Sequence, residues 1–442
     1  MPKPVVANSI GVAGMERHST IYQSCIKILE RELVPAIGCT EPVAIAYCAA
    51  RARAALGEMP DRIEVAVSGN IVKNVKSVVI PNTGGCRGIA AAAAIGVLAG
   101  DETKGLEVIA NVSDERKSAL KDYMESTKIA TRPAESDYLL DITVTVHKGE
   151  SWAKARTLNE HANIVCVEKD GRVLERKEVS DSAGSFIPDY YGLLTVKNIC
   201  DFAETVAIDD VRAVLDRQIA LNTAISEEGM KNDYGANIGK VLLKTYGGDV
   251  KIRAKAAAAA GSDARMNGCE LPVVINSGSG NQGMAASLPV IEYAKTLDVG
   301  QEKLYRALVI SNLVTVHQKT GIGPLSAYCG AVSAGTGAGA GIAYLCSGGD
   351  FKTVTHTIVN ALAVTSGIIC DGAKSSCAAK IAVAVDAGIM GYEMYCNGQQ
   401  FRGGDGVVVK GVENTIKNIG RLGKVGMRET DREIIRMMTE SE

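Results

Sequence analysis

Two long runs towards the C-terminal end carry no charged residue: Ala327 to Gly349, dominated by Gly, Ala, Ser and Thr, and Thr353 to Cys370. Runs of that length leave two fates, a membrane-spanning helix or a helix buried in protein. The small polar residues of the first run, and His356 and Asn360 in the second, favour burial. Composition agrees. Apolar residues make up 46% of the chain but aromatics only 4%, with one Trp and four Phe, so bulk is scarce. Helices with small contact residues pack closely, because the distance between axes follows the side chains between them.

At 442 residues the chain exceeds the size at which one core usually keeps growing, so two domains are expected. The net charge is −2 with mixed signs, which gives no footprint for nucleic acid or an anionic membrane and points to small-molecule partners. The N-terminal MPKPVVANSIGVAGMERHST has no apolar core followed by a cleavage site, so no secretory signal is read and a cytoplasmic location is expected. In such a compartment the twelve cysteines are mostly reduced thiols and not a disulfide framework. The oligomeric state, a homo-oligomer included, is left open.

Taken in order, residues 20–34 show helical spacing up to Pro35, and a second helix starts in Gly38-Cys39-Thr40-Glu41-Pro42. Cys39 then lies at the positive end of a helix dipole, where a thiol is acidified. RIEVAVSG, LEVIANV, YLLDITVTVHKG and the segment from Trp152 to Val179 read as strands, with helices at Gly88–Leu98 and Asp114–Thr127. From Val196 onward helices dominate, among them Asp209–Ser226, Gly229–Thr245, Gln301–Val316 and Asn414–Leu422. The expected fold is α+β: a largely helical catalytic domain (1–60 and 181–442) with an inserted two-layer α/β sandwich (61–180). The Cys39 helix is expected to pack with the C-terminal helices.

Cys329, Cys370 and Cys377 stand out. Cys370 and Cys377 bracket the polar loop DGAKSS, and Cys329 returns beside them if the two uncharged runs form an antiparallel helical hairpin. The spacing fits neither zinc-finger arithmetic nor the compact ferredoxin pattern, so a metal site and ordinary core cysteines both stay open. Cys25, Cys48, Cys166 and Cys346 read as core residues.

Two glycine-rich loops offer backbone N–H groups to an anion such as a carboxylate: Asn82-Thr83-Gly84-Gly85-Cys86-Arg87-Gly88, with its guanidinium, and Asn276-Ser277-Gly278-Ser279-Gly280-Asn281-Gln282-Gly283. Tight packing explains such loops equally well. The second is not a dinucleotide fingerprint, because its glycine order is wrong. His317 and Lys319 end an amphipathic helix just before Cys329. Either they face the same cavity as the thiols, or His317 is a satisfied core histidine. Asn232 to Asn237 is a polar cluster that helix capping explains.

GCTEP, NTGGCRG, NDYGANIGK, NSGSGNQG, HQKTGIGPLSAYCG and IICDGAKSSC, in that order, resemble the L-cysteine desulfidase family, the UPF0597 group, which is related to the alpha chain of iron–sulfur L-serine dehydratases. The resemblance spans nearly the whole chain. It implies a [4Fe–4S] cluster held by Cys329, Cys370 and Cys377, a catalytic Cys39, and β-elimination of L-cysteine to pyruvate, ammonia and hydrogen sulfide. The substrate loops would be Asn82, Thr83, Gly84, Gly85 and Arg87 on one side and Ser277, Gly278, Ser279, Gly280 and Asn281 on the other, with His317 and Lys319 nearby. The longer spacing of the last two cysteines in bacterial serine dehydratases is absent. An L-serine or L-threonine dehydratase, and a non-catalytic amino-acid-binding module, are the alternatives.

Overall fold

The computed structural model of the protein describes residues 15–179 and 187–440. The domain boundary expected at residues 180/181, and most of the segment read for a secretory signal, lie outside the described residues. Ser19 accepts a hydrogen bond from the Tyr22 N–H and starts α1 (Thr20–Glu32). Then come β1 (Pro35–Ile37) and α2 (Thr40–Leu56), which ends at Gly57 in the left-handed conformation.

The following elements are β2 (Arg62–Val67), α3 (Gly69–Val75), α4 (Gly88–Ala99), α5 (Asp114–Ser126), β3 (Lys128–Pro133), β4 (Asp141–Lys148), β5 (Ser151–Leu158), β6 (Ile164–Lys169) and β7 (Arg172–Arg176). These six strands form one sheet in the order β3-β2-β4-β5-β6-β7, antiparallel except between β2 and β3. Ile142, Val144 and Val146 of β4 and Ala153 and Ala155 of β5 alternate onto one buried face, which α2 and α4 cover.

Two local expectations fail here. LEVIANV is not a strand but a 3-10 turn, Gly105–Glu107, followed by further turns; its Val108 and Ile109 fill the core, and a short apolar run cannot be told from a buried turn by pattern alone. Helix α2 packs on the sheet and not with the C-terminal helices. Ala44, Ala46, Ala49, Ala50 and Ala52 are buried, and Gly96 of α4 lets α2 approach so closely that a Cβ there would stand 2.2 Å from the Ala46 carbonyl oxygen.

The remainder is helical: α6 (Val196–Thr205), α7 (Ile208–Lys231), α8 (Ile238–Tyr246), α9 (Val250–Met266), the short β8 (Pro272–Val274), α10 (Gly280–Thr296), α11 (Gln301–Ile322), α12 (Gly330–Ser347), α13 (Phe351–Thr365), α14 (Cys377–Cys396), α15 (Val412–Arg421) and α16 (Arg428–Glu440). The helix expected over Gly229–Thr245 is interrupted. Asn237 takes φ 52° and accepts a hydrogen bond from the Tyr234 N–H at 3.2 Å, so the polar cluster turns the chain between α7 and α8. The architecture as a whole is α+β, and among the described residues no helix is long and apolar enough to cross a membrane.

The first uncharged run becomes α12, packed between α11 and α14 at backbone contact. A Cβ on Gly335 would stand 2.3 Å from the Ala384 carbonyl oxygen, and one on Gly388 would stand 2.1 Å from that of Gly335. Gly335→Ala is therefore expected to lower stability by roughly 1–3 kcal/mol through overpacking, although alanine is the better helix former. Gly248→Ala, with nothing within 4 Å, is the matched control. Thermal unfolding of the two variants checks this, and equal midpoints would contradict the close contact.

Candidate active site

β1 and β8 pair antiparallel, Pro35 opposite Val274 and Ile37 opposite Pro272. This small ribbon sets two loops side by side. One leads from β1 into α2 and carries Cys39 as the residue preceding the helix; the other is the Asn276–Gly283 segment, a turn to Ser279 followed by the first residues of α10. The Thr40 hydroxyl donates to the Gly278 carbonyl oxygen at 2.9 Å, tying one to the other. Gly38 has φ +60°, and Pro81 packs so tightly against it that no side chain fits.

The three C-terminal cysteines are brought together by the α12–α13 hairpin. Tyr328 and Ile369 form an antiparallel bridge, with the Cys329 N–H donating to Ile368 at 3.1 Å and the Cys370 N–H to Ala327 at 2.6 Å. The chain then turns through Gly372, where a Cβ would meet the Lys73 carbonyl oxygen at 2.2 Å, and reaches Cys377 at the start of α14. The Cys377 thiol donates to the Gly372 carbonyl oxygen at 3.6 Å.

Cys329 and Cys370 share a hydrogen bond between their thiol groups. That bond, opposed by burial but helped by the cations Lys73 and Lys319, brings the Cys370 thiol down to about 6. Its partner Cys329 is pushed well up by the same bond and by burial. The pair loses one proton easily and holds the other. Burial also raises Cys377. Lys73 is itself buried and pairs with Asp431 of α16 at 2.5 Å, while its ammonium reaches the Cys370 carbonyl oxygen at 3.4 Å. Lys319 is brought down to about 8 by burial, against the pull of Cys370 and Cys329, and makes no ion pair among the described residues.

Cys39 departs from expectation. The thiol does stand at the start of α2, but it is raised and not acidified, because burial and the Glu41 carboxylate both disfavour the thiolate. It donates to Glu41 Oε2 at 3.0 Å. Burial alone would raise Glu41, yet the His161 imidazole and the Cys39 thiol hold it at about 2. Asn74 of α3 donates to its other oxygen at 3.2 Å, and His161 Nε2 stands 3.7 Å from that oxygen.

Cys39, Glu41, Lys73, Asn74, His161, Arg265, Lys319, Cys329, Cys370 and Cys377 line one cavity of about 370 Å³, with Ser277, Gly278, Ser279 and Asn281. Gly280 lies behind Arg265, where a Cβ would meet the guanidinium Nε at 2.4 Å. The second glycine loop is thus at the site. The first is not: Asn82 donates to Ile109, Thr83 to Ile80 and Arg87 to Ser77, and Gly84, Gly85 and Arg87 are exposed. These bonds build a turn away from the cavity. His317 also lies outside it, paired with Glu413 at 2.7 Å between α11 and α15.

Sequence reasoning missed Lys73, Asn74, His161 and Arg265. A lone arginine ending the alanine-rich run of α9 was the available signal for the last. Glu41 lies within GCTEP, and the sequence alone gives it no role.

The donor set is soft: three thiols with lysines around them, and an Asp371 carboxylate already engaged by Lys374 and Lys380. Among the described residues no three His, Cys, Asp or Glu are arranged to hold a single metal ion. A cluster asks for something else, one thiolate for each of several irons, and three cysteines on one cavity wall fit that demand.

The serine dehydratase alpha chain family model matches residues 103–436, a span that holds Arg265, Cys329, Cys370 and Cys377 and begins after Cys39. The chain is 59% identical to a UPF0597 protein of Desulfitobacterium hafniense, over 96% of this chain and 98% of the relative. It is 52% identical to one of Lachnoclostridium phytofermentans, over 95% of this chain and 100% of the relative. A Treponema denticola UPF0597 protein is 45% identical, over 94% of this chain and 98% of the relative.

Replacing Glu41 by Gln removes the anion beside Cys39, so the thiolate becomes easier to form and alkylation of Cys39 at pH 8 is expected to rise several-fold. Peptide mapping after iodoacetamide treatment reads this residue among the twelve cysteines. Unchanged or slower labelling would contradict the assigned cause.

Proposed function

Because the chain belongs to the serine dehydratase alpha chain family, and within it to the UPF0597 group, we propose that it is an iron–sulfur-dependent lyase that removes the β-substituent of L-cysteine, releasing hydrogen sulfide, pyruvate and ammonia. The observation that carries this reading is the convergence of Cys39, Cys329, Cys370 and Cys377 on one cavity. In it, Cys329, Cys370 and Cys377 hold a [4Fe–4S] cluster, which supplies Lewis-acid chemistry for the departing sulfur when bound.

Proton handling falls to Cys39 and Glu41. At rest their shared proton lies on sulfur, since the carboxylate is held low and the thiol high. Moving it from Sγ to Glu41 Oε2 leaves a thiolate, and the cationic Arg265 nearby favours that charge. The thiolate takes the Cα proton. The electron pair of the broken C–H bond becomes the Cα–Cβ double bond, and the Cβ–S bond breaks with its pair on sulfur. The aminoacrylate released tautomerises to an imine, and water replaces ammonia to give pyruvate. Asn74 and His161 hold the Glu41 carboxylate in position for this exchange.

The family match favours a second reading, elimination of water from L-serine or L-threonine, in which the same pair removes the Cα proton and a hydroxyl leaves. The test is anaerobic reconstitution with iron and sulfide, a visible absorption spectrum, and assays of sulfide, ammonia and 2-oxoacid from L-cysteine, L-serine and L-threonine. Sulfide and pyruvate from L-cysteine are expected, with Cys370→Ala losing both absorption and turnover. Cys39→Ser should keep the absorption and lose kcat by roughly 10²–10⁴-fold. Turnover of the hydroxy amino acids alone would establish the second reading, and a colourless protein that binds amino acids without turnover would overturn both.

A further inference from the structure

Helix α9 ends by placing one arginine almost entirely out of solvent. Arg265 is 2% exposed and lines the cavity. Its Nη1 donates to Asn281 Oδ1 at 3.2 Å, but Nε and Nη2 have no hydrogen-bond partner among the described residues, and no Asp or Glu there forms an ion pair with it. Burying a charge with two unsatisfied donors is costly, and such groups in folded proteins are normally paired. A guanidinium placed so can take an anion through those two donors.

The two idle nitrogens indicate which anion. Nε and Nη2 form the side edge of the guanidinium, whose parallel N–H bonds match the two oxygens of a carboxylate. The opposite side is occupied by Asn281, and the Gly280 backbone presses against the group, since a Cβ on Gly280 would meet Nε at 2.4 Å. The guanidinium therefore cannot turn freely, and Arg265 lines the cavity it shares with Cys39, Glu41 and Cys377.

We infer that Arg265 clamps the α-carboxylate of an amino-acid substrate through its Nε–Nη2 edge, so that Cα lies beside the Cys39–Glu41 pair and the β-substituent is directed towards the three cysteines. This rests on the lyase reading for its substrate, and it selects ligands with a free carboxylate. The Asn276–Gly283 loop contributes by fixing the arginine through Asn281 and Gly280.

The experiment uses the reconstituted protein and two inhibitors that each keep half of L-cysteine: 3-mercaptopropionate, with the carboxylate and thiol, and cysteamine, with the amine and thiol. In Arg265→Gln, KM for L-cysteine and Ki for 3-mercaptopropionate are expected to rise on the order of 100-fold, with Ki for cysteamine unchanged. Arg265→Lys, which keeps the charge without the fork, should weaken both less and serves if the glutamine variant does not fold. Calorimetric titration of 3-mercaptopropionate and L-serine into both proteins reads binding without turnover. Unchanged KM and Ki in a folded variant overturn the clamp while leaving the lyase reading intact. Carboxylate binding that depends on Arg265 without any turnover keeps the clamp and overturns the lyase. Loss of cluster absorption in Arg265→Lys with 3-mercaptopropionate binding retained would assign the arginine to the cysteines, against the inference.

Discussion

Helix α12 has almost no side chains on the faces by which it meets α11 and α14, and the positions of the three C-terminal cysteines follow from that contact. Gly335, Gly337 and Gly339 put its backbone against carbonyl oxygens of Ala384, Ser311 and Gly388, where a Cβ would stand 2.3 to 2.6 Å away. Contacts that tight leave no room for sliding, because close-packed interiors respond even to a single methylene. Cys329 precedes the first turn of α12 and Cys377 opens α14. Locking the two helices together thus locks the two sulfurs, and the bridge from Tyr328 to Ile369 adds Cys370.

Within the cavity, one residue type is driven in opposite directions by its neighbours. Cys370, with a thiol neighbour and the cations Lys73 and Lys319, is brought to about 6, whereas Cys39, with the Glu41 carboxylate, is raised. Both are buried, so desolvation alone does not separate them. The separation suits a division of labour in which thiolates bind metal and a protonated thiol beside a carboxylate moves a proton. A helix N-terminus stands at both Cys39 and Cys329, yet neither is acidified. Burial, together with a neighbouring group at contact distance, outweighs a helix dipole.

Much of this was legible in the primary structure, and what was not has physical causes. The uncharged runs predict buried helices in a hairpin, and the strands with strict alternation, such as Ile142 to Val146, are where that pattern puts them. LEVIANV misled because a few apolar residues filling a core look alike in a strand and a turn. The three-residue strands β1 and β8 carry no periodicity to read, although they align Cys39 with the Asn276–Gly283 loop. The NTGGCRG and NSGSGNQG loops have the same local build, and only the long-range fold decides that one faces the cavity. Lys73 belongs to a helix whose apolar surroundings give no sign that a cation sits there for a purpose, and Arg265 is signalled only by its place at the end of an alanine-rich run.

The cavity lies where two cores meet, with Cys39, Glu41 and His161 carried by elements of the sheet core and the three C-terminal cysteines by the helical one. Adjacent residues of α3 reach both. Asn74 donates to Glu41 at 3.2 Å, while Lys73 reaches the Cys370 carbonyl oxygen at 3.4 Å and pairs with Asp431 at 2.5 Å. Helix α16 holds α3 in place from the far end of the chain, with Ile435 packed against Gly69, where even a methyl would sit at 3.3 Å. A seven-residue helix therefore sets the register between the Cys39–Glu41 pair and the three C-terminal cysteines. The elimination proposed above needs both ends of one small molecule served at once, and effective alignment of that kind is worth several orders of magnitude in rate. The distance between the two chemistries is thus fixed by backbone packing around α3, which explains why glycine stands at both of its contacts, Gly69 and Gly372.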